Sequence, residues 1–183
     1  MNPALLVIAG PNGAGKTTVT TRLREERWSD GGAARWTEAR REELLAANTG
    51  IAFETVLSSE GKIDFLARAK SSGYFIRVFF IGTSDPRINA ARVAGRVMAG
   101  GHTVPIEKIV SRYVRSMANL ASAISLADRI YLYDNSIDDV EARLCARTQD
   151  GQLRKIYGLL PLWVADAVAS LARHPEFVDA RAA

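Results

Sequence analysis

Short apolar runs and helical repeats alternate along this 183-residue chain. The first run, ALLVIA (Ala4–Ala9), has no polar position and stops at Gly10-Pro11, the pattern of a strand buried on both faces. After a glycine-containing interval, KTTVTTRLREE reads as a helix, and beyond the polar patch WSDGGAARW so does TEARREELLAA. IAFE, residues 51–54, reads as a second short buried strand. A helix is expected over residues 61–72, followed by YFIRVFFIG (Tyr74–Gly82), the most strand-like run in the chain, rich in aromatic and β-branched residues. Asp85-Pro86 supplies a capping acid and a proline at the first helical position, and that helix is expected to end at Gly100-Gly101. A longer helix begins near Pro105, with apolar residues at 106, 109, 110, 113, 117, 120 and 124. This spacing leaves Lys108, Arg112, Arg115 and Asn119 on its other face. RIYLYD (Arg129–Asp134) is a further strand. VEARLCAR reads as helical, Pro161 opens a final helix, and the C-terminus reads as a polar tail.

Strands alternating with helices predict an α/β domain with a mainly parallel sheet. There is no repeat, no low-complexity tract and no second-domain signal, so residues 1–183 are expected to form one domain. A hydrophobic content of 48% is ample for a core, and 24% charged residues argues against disorder. No apolar stretch approaches the ~20 residues that span a bilayer. The N-terminus lacks the basic segment and long apolar region of a signal peptide, so the expected address is cytoplasmic, away from membranes. One cysteine, Cys145, and two histidines argue against a disulfide or a structural zinc site. The net charge is +4 and the pI about 9.5. No basic block is interleaved with exposed aromatics, so the charge points to a small polyanionic ligand and not to nucleic acid.

The stretch GPNGAGKTT names such a ligand. Gly10, Gly15, Lys16 and Thr17 satisfy G-x-x-x-x-G-K-[ST] between a buried strand and a helix. Glycines let the backbone aim N–H groups at phosphate oxygens, and the helix N-terminus adds partial positive charge. Gly10, Pro11, Asn12, Gly13, Ala14, Gly15, Lys16, Thr17 and Thr18 are therefore the candidate nucleotide-binding loop. Lys16 is assigned to the β- and γ-phosphates and Thr17 to Mg²⁺. The expected fold is a P-loop kinase-like three-layer α/β/α domain. A base-reading N-K-x-D and an LSGGQ are both missing from the sequence, which leaves a small kinase or a plain NTPase.

Three further segments bear on that choice. In FETVLSS (Phe53–Ser59), an acid at a strand end can ligand a metal through water, hold an acceptor hydroxyl, or form an ordinary ion pair. In RVAGRVMAGGHTVP (Arg92–Pro105), Arg92 and Arg96 share one helix face, suited to transition-state charge or to simple solvation. YLYDNS (Tyr131–Ser136) ends a strand either at a ligand crevice or in a capping turn.

Taken in order, GPNGAGKTT, FETVLSS, the RV-x-x-R-x-x-x-GGH-x-VP run, Arg112-Tyr113 with Asn119-Leu120, and the DNS resemble the zeta-toxin family of P-loop kinases over roughly residues 4–136. The resemblance implies an ATP- and Mg²⁺-dependent kinase that phosphorylates a sugar hydroxyl of UDP-N-acetylglucosamine or a related UDP-amino sugar. It also implies a protein antitoxin as partner. By the same resemblance, Glu54 and Ser58 fall at the substrate, Arg92 and Arg96 at the moving phosphoryl group, and His102 where the family carries a second arginine. Arg112 is a further candidate for the sugar-nucleotide phosphates, against the plainer reading of a solvated face. The sequence departs from the family in one respect. No N-P-D aspartate, the family's base for the acceptor hydroxyl, lies between Lys16 and Glu54. Asp30 stands alone in that interval, as a replacement base or as a plain loop residue. A strand expected there is also missing, which would leave a gap in the sheet.

Overall fold

The computed structural model describes residues 2–25, 38–99 and 104–181. The elements are β1 (Ala4–Ala9), α1 (Lys16–Glu25), α2 (Glu38–Ala46), β2 (Ile51–Thr55), α3 (Glu60–Ser71), β3 (Phe75–Gly82), α4 (Pro86–Met98), α5 (Ile106–Leu126), β4 (Arg129–Asp134), β5 (Arg143–Gln149), β6 (Gln152–Ile156), α6 (Leu162–Val168) and β7 (Arg173–Asp179). Seven strands form one sheet in the order β2-β1-β3-β4-β5-β6-β7. Pairing is parallel from β2 through β4 and between β6 and β7, and β5 runs against both of its neighbours.

Strand alternation divides the core between the two sheet faces. Leu5, Val7, Phe53, Val78, Phe80 and Leu132 point to one face. There they pack against Phe65 and Leu66 of α3, Leu120 and Ile124 of α5, and Val164 and Val168 of α6. Leu6, Ile8, Phe79, Ile81 and Tyr133 point to the other, against Val19 of α1. With helices on both faces, β1 and β3 have no solvent side, which is why their sequences read as continuous apolar runs.

The structure differs from the sequence expectation in four places. VEARLCAR is not helical: from Arg143 onward it is the start of β5. That strand turns into β6 through Asp150-Gly151, both at positive φ (49° and 74°), the geometry of a type I′ hairpin. Cys145 and Ala146, within β5, are fully buried. The polar tail contains β7, an exposed strand paired to β6. There is no gap at the start of the sheet either. β2 pairs directly with β1 from Leu5↔Ile51 to Ala9↔Thr55 and is the outermost strand among the described residues. Finally, α5 keeps the expected core positions Ile109, Tyr113, Leu120 and Ile124 but departs from the expectation at Ile106, Val110 and Asn119. Ile109, Tyr113, Ser116, Leu120, Ala123 and Ile124 are buried, whereas Ile106, Val110 and Val114 face outward. Asn119 turns inward, its Nδ2 donating to the Leu57 carbonyl at 3.0 Å.

Candidate active site

Connections leave β1 and β3 in opposite directions, toward β2 and β4, so a crevice opens beyond their C-terminal ends. The Gly10–Gly15 loop fills its floor and delivers Lys16 as the first residue of α1. Two glycines are required by close approach as well as by backbone angle. At Gly13 (φ 80°) a Cβ would lie 2.6 Å from the Asn89 carbonyl oxygen, and at Gly15 (φ 87°) 2.2 Å from Asn135 Nδ2. The same two asparagines hold the loop. Asn89 Nδ2 donates to the Asn12 carbonyl at 2.7 Å, and Asn135 Nδ2 donates to the Ala14 carbonyl at 2.8 Å.

Lys16 is buried and curls back over the loop, with Nζ donating to the carbonyls of Gly10 (2.9 Å) and Pro11 (3.0 Å). Burial pulls its pKa down from 10.5 to about 8. Glu54 opposes that shift by favouring the charged form, and Arg96 adds to it. Above the loop lies a cavity of about 820 Å³ whose lining includes Asn12, Lys16, Thr17, Glu54, Arg92 and Arg96. That is the size range of small-molecule sites. Glu54 is its one carboxylate among the described residues. It comes from β2 opposite Ile8, which aims its side chain to the α1 face, where Thr20 Oγ1 makes a long 3.5 Å contact with Oε2. The Thr17 hydroxyl and the Glu54 carboxylate thus border one space beside a cation. Mg²⁺ takes one or two protein oxygens together with water and phosphate oxygens, and this donor set suits it.

Arg92 and Arg96, one turn apart on α4, form the opposite wall. Arg92 Nε donates to Asp138 Oδ1 at 2.7 Å and its Nη1 to the Asn135 carbonyl at 2.8 Å. Arg92 also borders a second cavity of about 550 Å³, whose lining includes Gly15, Thr18, Asn135, Ile137, Asp138 and Val140. The site therefore offers phosphate-sized space between a glycine loop, three cations and one carboxylate, an arrangement that can bind and polarise a phosphoryl chain.

Ser58 and Arg112 do not line the larger cavity. Ser58 follows Leu57, a fully buried residue at φ 58°, and Arg112 is half-buried on α5. Asp30 and His102 lie outside the described residues, as do Trp28 and Trp36. Asp134 is occupied in a packing role: Oδ1 accepts from Trp163 Nε1 (2.8 Å) and Ser136 Oγ (2.7 Å). Asn89 and Asp138 were not singled out from the sequence, and Asn135 entered only as the middle residue of DNS, with no role assigned. Asn135 follows a strand end, which is a usable signal, whereas Asn89 lies in the first turn of α4 with none.

No protein-family model matches the chain. An uncharacterized protein of Haemophilus influenzae is 30% identical over 69 residues, which is 38% of this chain and 49% of that protein. Among solved structures, a chain of the AvrRxo1-ORF1:AvrRxo1-ORF2 complex with sulphate ions superposes with a TM-score of 0.61 at 17% identity, covering 93% of this chain and 65% of that one. The AvrRxo1-ORF1:-ORF2 structure with ATP gives 0.58 at 19%, covering 83% and 60%. The PezAT chromosomal toxin–antitoxin system of Streptococcus pneumoniae gives 0.51 at 16%, covering 78% and 70%. The chain thus spans less than two thirds of the AvrRxo1 complex chains and about half of the curated relative. At this level of identity the likeness concerns the fold alone. No described helix is long and apolar enough to cross a membrane.

Proposed function

We propose that this protein is an ATP-dependent phosphotransferase of zeta-toxin type, acting on a sugar hydroxyl of UDP-N-acetylglucosamine or a related UDP-amino sugar. The observation that carries the reading is the convergence of Lys16, Glu54, Arg92 and Arg96 on one cavity above the glycine loop. The structure of AvrRxo1-ORF1:-ORF2 with ATP supports the choice of nucleotide. In the P-loop reading, the loop from Gly10 to Thr18 and Lys16 hold the phosphates. Thr17, with Glu54 nearby, holds Mg²⁺, which when bound neutralises phosphate charge.

The acceptor oxygen attacks the γ-phosphorus, the bond from that phosphorus to the β–γ bridging oxygen breaks, and ADP leaves. Arg92 and Arg96 lie on the side where charge accumulates, and such cations stabilise the transition state. Glu54 and Ser58 hold the acceptor, and the proton of its hydroxyl passes to a carboxylate. Glu54, the carboxylate that lines the cavity among the described residues, is one candidate, and Asp30 is the alternative from the sequence. Incubation with ATP and UDP-N-acetylglucosamine is expected to yield ADP and a phosphorylated sugar nucleotide in equal amounts. ATP consumption only with another hydroxyl compound would make the protein a different, housekeeping kinase.

The AvrRxo1 and PezAT structures concern a two-protein complex and a toxin–antitoxin system, which supports a protein antitoxin as partner here. A second reading, a nucleotide-binding interaction module without transfer chemistry, is favoured by the missing N-P-D aspartate. Tight ATP binding without turnover on any acceptor would select it.

A further inference from the structure

Asn135, the residue directly after β4, is bonded in three directions. Its backbone N–H donates to the Gly82 carbonyl at 2.9 Å, continuing the β3–β4 pairing past Gly82↔Asp134. Its side-chain Nδ2 donates to the Ala14 carbonyl at 2.8 Å. Its own carbonyl accepts from Arg92 Nη1 at 2.8 Å. The side chain packs so closely on the loop that a Cβ at position 15, immediately before Lys16, would lie 2.2 Å from its Nδ2 and displace it. From these contacts we infer that Asn135 is a positioning residue that ties the Gly10–Thr18 loop to Arg92. One rigid strand end thereby sets the distance between the floor of the site and the cation in its wall.

The chemistry explains why an amide is needed. The Ala14 carbonyl requires a donor, and the position faces a site built for anions. A carboxylate would present an acceptor to an acceptor and a negative charge to phosphate, whereas an aliphatic side chain would leave the carbonyl without its partner. Asn135 is half-buried at the rim and belongs to neither apolar cluster, so a substitution there acts on the site and not on core packing. Asn89 braces the loop from the opposite side through Asn12.

The inference rests on the nucleotide-binding reading, and its test separates the two. The full chain and its Asn135→Leu and Asn135→Asp variants are compared by calorimetric titration with Mg·ATP at pH 5.5 and pH 8. Amide hydrogen exchange is measured alongside without nucleotide. Asn135→Leu is expected to weaken ATP binding about tenfold at both pH values, the scale of one lost hydrogen bond. Exchange should rise within residues 10–18 while β1 and β3 stay protected. Asn135→Asp is expected to be worse than Leu at both pH values, because an ionised carboxylate offers the Ala14 carbonyl no donor and adds negative charge beside the phosphates. Combined with Arg92→Ala, the loss from Asn135→Leu should be smaller than in the Arg92 background, because the two act as a unit. Wild-type affinity and exchange in Asn135→Leu would overturn the inference, as would exchange rising equally across the whole sheet. If the wild-type chain does not bind ATP, the nucleotide reading fails, and the exchange measurement still decides whether Asn135 braces the loop.

Discussion

The Lys16 ammonium and the Gly10 carbonyl oxygen lie 2.9 Å apart, so the lysine satisfies the very loop it follows. Its pKa is drawn down to about 8, chiefly by burial. Because the folded value lies below the ordinary 10.5, the folded chain binds fewer protons than the unfolded chain between about pH 8 and pH 10.5. Stability therefore rises with pH across that window. Nucleotide binding follows the opposite sense, since polyphosphate attracts the charged form. Mg·ATP affinity is expected to fall as pH rises through about 8, with proton uptake on binding, and calorimetry in buffers of different ionisation enthalpy measures both. Lys16→Ala should bind ATP weakly at every pH and abolish transfer. A Lys16→Ala chain that retained wild-type turnover would end the kinase mechanism proposed above.

Arg92 is shared between Asp138 and the Asn135 carbonyl, and the two bonds hold its guanidinium at the boundary of both cavities. Arg92→Ala is expected to lower kcat by about 10²-fold or more with a smaller change in ATP affinity, as for a group acting on transition-state charge. The Asp138 side chain is 74% exposed, so its ion pair is weak and screened by salt. Asp138→Asn should accordingly change ATP affinity by less than about fivefold, with the difference vanishing at high salt.

Gly13→Ala and Gly15→Ala each place a methyl group inside the contact distance of an asparagine that braces the loop, at a positive φ. The Gly13 clash is with backbone of α4, which cannot swing aside; the Gly15 clash is with a side-chain amide, which can. Gly13→Ala should therefore cost more stability, on the order of 1–3 kcal/mol. Gly15→Ala should act mainly by displacing Asn135 and weakening ATP binding. Thermal melts and ATP titrations of the two variants distinguish these outcomes.

Leu57 is buried in the left-handed region (φ 58°), with its N–H donating to Thr55 Oγ1 at 3.1 Å and its carbonyl accepting from Asn119 Nδ2 at 3.0 Å. Those bonds hold a conformation that a leucine does not adopt unaided. Asn119→Ala is expected to destabilise the chain by about 1–3 kcal/mol and to raise the acceptor KM through the neighbouring Thr55–Ser58 segment. The KM for ATP should stay near wild type. Equal effects on both substrates in steady-state kinetics would show that the turn has no selective link to the acceptor.

Most of the chain up to Asp134 was legible because its signals are local. Apolar runs mark strands covered on both faces. Asp85 caps α4, accepting from the Arg87 N–H at 2.7 Å, with Pro86 in the first turn as its sequence promised. The glycine-loop pattern likewise predicted the strand–loop–helix that carries Lys16. Beyond Asp134 the helix opened by Pro161 was legible too, whereas VEARLCAR and the polar tail were misread for the same reason. VEARLCAR is too short to separate a helical from an extended period, and it is a strand because β4 offers a free edge. The Asp150-Gly151 hairpin signal was overlooked there.

What the sequence determined by itself was therefore the loop, the alternation of strands and helices, and the set of charged residues available to the site. Those depend on spacing along the backbone, which local conformation converts directly into geometry. Tertiary structure alone decided that β2 lies directly beside β1, that α5 turns Asn119 toward Leu57, and that Asn89 and Asn135 meet the loop from two distant elements. Those contacts join positions far apart in the chain. No periodicity encodes them, because a hydrogen bond needs only two groups brought within reach, and the packed sheet does that.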